Sequence, residues 1–289
     1  ILIGLVGSEM CIRDSLMGEF EIFGRRIKRG AFLMSEKHSS ASKSKLLGTV
    51  LLILALFGFF VFIYRLCYYH YEYDPQYSPV DYGKYNILSY FTVQSNFFAY
   101  VYFLCAALSI FGVKKAEKIG FNPYIGALVT VYVLVAGITY CAGIPMGLTP
   151  PFKWDTPAHS MSSFIQVYYH MIMPPAALIV WFFPFTDRAI GKKCFWLSGI
   201  YPLVYSIFSM VRGRFSDPTY YPYPFYNPEF IWETVAKNTP FNIGLSYLII
   251  AALLIFGILI FALLTLLIAA IHNNCLLYTS PSPRDRSVS

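Results

Sequence analysis

Apolar residues along this chain gather in runs separated by short polar connections. Each run is long enough to cross the hydrocarbon core of a bilayer as a helix, which takes about 20 residues. The first, 46–66, follows Lys43 and Lys45 and has no small-residue cleavage site. Its apolar core is also longer than that of a signal peptide, so it predicts an uncleaved span. Five more follow at about 87–112, 124–147, 161–185, 194–214 and 241–271. The last is long enough to tilt or to project beyond the bilayer. The pattern predicts an all-α polytopic protein, a bundle of six transmembrane helices.

Polar positions within these runs are few and recur at helical spacing. In the second run, Ser89, Thr92, Ser95, Asn96 and Ala99 share a stripe, with Gln94 beside it in the segment FTVQSN. In the fourth, Ser163, Gln166, His170 and Pro174 share another. The fifth offers Tyr201, Tyr205, Ser209 and Arg212. Polar faces turn away from lipid, so the three stripes predict a pocket between spans two, four and five. Packing glue is the competing explanation for Thr92, since small hydroxylated residues let helices approach closely and Thr bonds its own backbone. His170 is an ionisable residue inside a span and a functional candidate by default, with a backbone-bonded neutral imidazole as the alternative. A neutral His takes the proton of a Thr hydroxyl during attack on an ester, and Gln94, Asn96 or a pocket Tyr would steady the resulting oxyanion.

Composition agrees with a membrane class. Of 289 residues, 57% are hydrophobic and 13% charged, against about 25% charged in a soluble domain. Mean hydropathy is +0.54. The net charge of +7 is an orientation signal, with no nucleic-acid partner implied. Lys114, Lys115 and Lys118 mark one connection and Arg188, Lys192 and Lys193 another; the connections after the first and fifth runs carry Glu72, Asp74, Asp81, Glu229 and Glu233. This alternation predicts cytosolic N- and C-termini and a multi-pass location in the cell membrane. Membrane lipid is the expected partner; the oligomeric state stays open. The connection YYPYPFYNPEF is too rich in Pro and Tyr for a floppy linker and predicts an ordered cap at the interface.

The two ends predict no fold. DNA encoding CLLYTSPSPRD, Cys275 to Asp285, yields on its opposite strand LVGSEMCIRD, which is Leu5 to Asp14. One element on opposite strands, resembling a transposase-type sequencing adapter, explains both peptides. Residues 1–15 and 275–289 are therefore expected to be adapter-derived. Residues 16–44 form a basic flexible cytosolic tail and 45–274 the transmembrane domain. Cys67, Cys105, Cys141 and Cys194 remain and form no C-x-x-C pair, so neither metal nor cofactor is indicated. No HExxH, Gly-rich phosphate loop or G-x-S-x-G elbow occurs.

The stretch FTVQSN, a single His followed by Pro in span four, and YPYPF after span five resemble the prokaryotic six-span Pr-six-Pr membrane proteins. The likeness runs from about Leu46 to the last span. More remotely, the chain is similar to the androgen-induced membrane hydrolases. Those place an essential Thr in a Thr-Phe-rich stretch and an essential His five residues before a Pro, and cleave fatty acid esters of hydroxy fatty acids. Thr92 in YFTVQ matches the first element, and His170 with Pro175 matches the second. The resemblance implies a Thr/His-dependent lipid ester hydrolase. A small-solute transporter or channel and a non-catalytic structural or lipid-binding protein are the alternatives.

Overall fold

A computed structural model of the chain describes residues 37–68, 83–147, 149, 151–182, 188–216, 219–235 and 239–279. The N-terminal peptide, most of the basic tail and most of the acidic connection after span one lie outside the described residues, as do residues 280–289. The chain divides into a unit of Gly48–Asn273 and a second of Ile1–Leu47 with Asn274–Ser289. The first contains the whole of the candidate site.

Among the described residues the regular structure is helical throughout. Six helices are long and apolar enough to cross a membrane, as the hydropathy pattern predicts. They are α1 (Lys37–Tyr68), α2 (Phe91–Ile110), α3 (Pro123–Gly143), α4 (Pro157–Trp181), α5 (Cys194–Phe215) and α7 (Ile243–Thr279), with a short α6 (Pro228–Val235) before the last. Chain chemistry sets several of the starts. Asn122 caps α3 by accepting the Tyr124 and Ile125 amides, with Pro123 at the first helical position. Thr156 does the same for α4, accepting the His159 amide ahead of Pro157. That cap starts α4 at Pro157, four residues before the sequence-based boundary.

Two prolines shape the interior. Pro202 in α5 has no N–H, which leaves the Ser198 carbonyl without its helical donor. Tyr132 from α3 donates to that carbonyl at 3.2 Å and ties the two helices. In α4 the pair Pro174–Pro175 withholds two amides from the carbonyls one turn earlier. The turn before it, Tyr168–Ile172, widens to a π-helix, and the Met173 amide reaches back to the Tyr168 carbonyl. The core sits where α2, α3 and α4 pack. Tyr100, fully buried on α2, lies against the α1 backbone at Gly58, where a Cβ would come within 2.3 Å of its ring.

The second span differs at its beginning. Residues Lys84–Ser89 form a 3-10 helix, Tyr90 is extended, and the α-helix proper starts at Phe91. Thr92 is therefore the second helical residue, nearer the helix end than a span starting at 87 would put it. His170 lies thirteen residues after Pro157. The two helices are offset along their axes, a register that counting from the ends of the apolar runs does not give.

Candidate functional site

Thr92 is placed by the start of α2. The first amides of a helix have no intrahelical acceptor, and here phenols supply it. Tyr205 accepts the Phe91 amide at 3.1 Å while donating to the Ser89 carbonyl at 2.7 Å. Tyr223 accepts the Thr92 amide at 3.4 Å. Arg212 fixes the segment just ahead of the helix, donating to Ser89 Oγ and, at 2.8 Å, to Asn86 Oδ1. Its guanidinium also lies 4.8 Å from the Tyr220 ring centre.

His170 is placed by the π turn. Its Nδ1 lies 2.9 Å from the Gln166 carbonyl, and its Nε2 lies 3.2 Å from Thr92 Oγ. A carbonyl only accepts, so in the neutral imidazole Nδ1 carries the proton and Nε2 presents its lone pair. The Thr92 hydroxyl then donates to Nε2. Both side chains are buried, each 7% exposed. Tyr140 from α3 stacks on the imidazole, with ring centres 3.7 Å apart and planes 12° from parallel. Gly137, one turn before Tyr140, lets α3 come this close: a Cβ there would lie 2.5 Å from Pro174 Cγ and 2.7 Å from the His170 carbonyl. Thr92 and His170 meet directly across helices 78 residues apart in sequence.

The other residues of the three stripes are engaged elsewhere. Ser95 Oγ and Asn96 Nδ2 both donate to the Thr92 carbonyl, at 3.1 and 2.9 Å. Asn96 is thereby a brace for the backbone of Thr92; its Oδ1 is buried with no hydrogen-bond partner. Gln94 donates to the Leu88 carbonyl at 2.6 Å and accepts from Tyr201 at 2.7 Å. In the resting structure the Gln94 and Asn96 amides are engaged by these partners and not by the Thr92 hydroxyl. Gln166 contributes its carbonyl to His170. Ser163 holds the chain before α4, bonding the Lys153 amide and carbonyl at 2.8 Å each. Ser209 is fully buried, while Tyr205 and Arg212 hold the start of α2. The stripes therefore converge on the end of α2 and give one close catalytic-type pair.

Three participants escape the sequence pattern. Tyr140 belongs to span three, which the predicted pocket omits. Arg65, at the end of α1, is 5% exposed and its guanidinium carbon lies 5.9 Å from the Tyr169 ring centre. A buried arginine in an apolar run is a signal legible in the sequence. Tyr223 lies in the YPYPF segment, whose composition announces order without singling out one ring. Burial raises the pKa of its phenol, and the neighbouring Thr92, whose amide it accepts, opposes the rise. The phenol keeps its proton at neutral pH.

Among the described residues, no group of three or more His, Cys, Asp or Glu side chains is arranged to hold a metal ion. Comparison with protein-family models, curated proteins and solved structures finds no match to this chain.

Proposed function

We propose that this integral membrane protein hydrolyses lipid esters, with Thr92 as nucleophile and His170 as general base. The observation that carries the proposal is the 3.2 Å approach of His170 Nε2 to Thr92 Oγ, with Nδ1 committed to a carbonyl. Fixing the tautomer in this way is what a base needs in order to receive a hydroxyl proton. Base assistance of this kind contributes roughly 100- to 10,000-fold in rate. The π turn that presents His170 supports the same reading, because such bulges recur at functional sites.

The chemistry balances as acyl transfer. Thr92 Oγ attacks the ester carbonyl carbon, its proton passes to His170 Nε2, and the carbonyl electron pair moves to oxygen. Collapse of the tetrahedral species breaks the ester C–O bond, and the departing alkoxide takes the proton from His170. Water then attacks the acyl-Thr92 ester with His170 again as base, releasing a fatty acid and restoring the hydroxyl. A site within the first turn of a span meets lipid esters without extracting them into water.

The test is labelling of the detergent-purified chain by a fluorophosphonate probe, alongside hydrolysis of a long-chain 4-nitrophenyl ester. Thr92→Ala and His170→Ala are each expected to abolish both signals in protein that still inserts and folds. The double variant should be no worse than either single one, since the two act as a unit. The non-catalytic reading makes the Thr92–His170 bond interhelical glue and has the local braces from Ser95 and Asn96 in its favour. It predicts a stability loss of about 1 kcal/mol for each variant, with any hydrolysis surviving.

A further inference from the structure

We infer that Tyr223 is the hydrogen-bond donor that stabilises the oxyanion formed when Thr92 attacks, acting together with the Thr92 amide. The inference rests on the ester hydrolase reading and adds to it a group from the YPYPF connection.

Two phenols stand at the start of α2, and their protons go to different places. Tyr205 gives its proton to the Ser89 carbonyl at 2.7 Å, so it is a fixed structural bridge. Tyr223 accepts the Thr92 amide at 3.4 Å, which puts its hydroxyl beside the nucleophile. In the resting arrangement the Thr92 O–H donates to His170 Nε2 at 3.2 Å, and the Tyr223 hydroxyl stands at the Thr92 amide. When Oγ bonds to the carbonyl carbon it becomes an ether-type oxygen, a much weaker acceptor than the oxyanion beside it. The negative charge has moved one bond away, onto the former carbonyl oxygen. The phenol and the Thr92 amide, 3.4 Å apart at rest, are the two donors that would turn onto it. Pairing the nucleophile's own amide with a second donor is how acyl-transfer sites commonly hold an oxyanion.

The ring is held for such a role. Tyr223 stacks on Phe225 with centres 5.3 Å apart and planes 5° from parallel. It meets Tyr90 edge-on at 6.0 Å and Tyr205 at 6.5 Å. A donor fixed before the reaction costs little reorganisation during it.

The experiment uses the full chain in detergent and measures steady-state hydrolysis of 4-nitrophenyl decanoate and the rate of fluorophosphonate labelling. Tyr223→Phe keeps the ring and its packing and removes the proton. It is expected to lower kcat about 100-fold, the usual effect of deleting one oxyanion donor, with KM within roughly threefold of wild type. The labelling rate should fall in parallel. A second variant carries 3,5-difluorotyrosine at 223, a more acidic phenol of nearly the same size. Because the donor works only when protonated, the alkaline limb of kcat should move to lower pH, which a structural role would not produce. A Tyr223→Phe protein within roughly threefold of wild-type kcat, or an unmoved alkaline limb in the fluorinated one, overturns the inference and leaves Thr92 and His170 in place. If Tyr223→Phe does not fold, the fluorinated variant decides alone. A wild-type chain that neither labels nor hydrolyses, or a Thr92→Ala variant that still does, removes the hydrolase reading and this inference with it.

Discussion

Polar side chains in hydrocarbon are costly unless paired, and the polar residues of FTVQSN find their partners in different ways. Ser95 and Asn96 bond the carbonyl of Thr92 within their own helix. Gln94 crosses to Tyr201. Thr92 reaches the imidazole of His170, so the segment is part local brace and part candidate chemistry. Geometry at this scale also assigns work to Tyr140, whose face fixes the plane of the His170 imidazole. A stacked aromatic pair is worth about 0.5–1.5 kcal/mol beyond burial. Tyr140→Leu should therefore lower kcat of ester hydrolysis by roughly two- to thirteenfold without abolishing it, since 1.36 kcal/mol is tenfold. Measured kcat equal to wild type would show that the imidazole is held by the Gln166 carbonyl and the Thr92 hydroxyl alone.

At the scale of the element, the site depends on one irregular helix. Pro174 and Pro175 remove amides, the preceding turn widens to a π-helix, and α3 presents a glycine to the carbonyl left exposed at His170. Gly137→Ala would put a methyl 2.7 Å from that backbone oxygen and 2.5 Å from Pro174. Neither is the far end of a flexible side chain, so the helices must separate. Overpacking of this kind costs typically 1–3 kcal/mol. The expected outcome is a lower thermal midpoint in detergent together with slower fluorophosphonate labelling, because the shift moves His170 relative to Thr92. Unchanged stability would mean that α3 and α4 part freely at this point. The motif was only half legible in the sequence: the prolines announce an irregularity, whereas its form as a π turn against Gly137 of α3 appears only in the fold.

At the scale of the whole molecule, six helices are long and apolar enough to cross a membrane, and six crossings would leave both ends of the spanning region on one side. Charge on the connections predicts which side. Lys115 and Lys192 should face the cytosol and Glu229 the exterior. In a chain whose native cysteines are replaced, Glu229→Cys should react with an impermeant maleimide in intact cells, and Lys115→Cys and Lys192→Cys should not. The converse labelling would reverse the orientation and move the Thr92–His170 pair to the cytosolic leaflet. The same scale explains the neighbours of the site. A pocket drawn from spans two, four and five omits span three, because the predicted faces show polarity, and α3 contributes through a glycine and a tyrosine that look like ordinary membrane residues.

Legible in the order of residues are the class, the number and approximate limits of the spans, and the prominence of Thr92 and His170. These depend on local quantities: the length of apolar runs, proline and capping chemistry, and the rarity of ionisable groups inside hydrocarbon. The tertiary structure alone decided that α2 starts at Phe91, that α2 and α4 are offset so that the hydroxyl and the imidazole meet, and that Tyr140 and Tyr223 close around them. Those facts depend on the relative translation of helices. Apolar surfaces in lipid match equally well at many registers, and the register is chosen by the few polar groups and small residues that must fit at the contact.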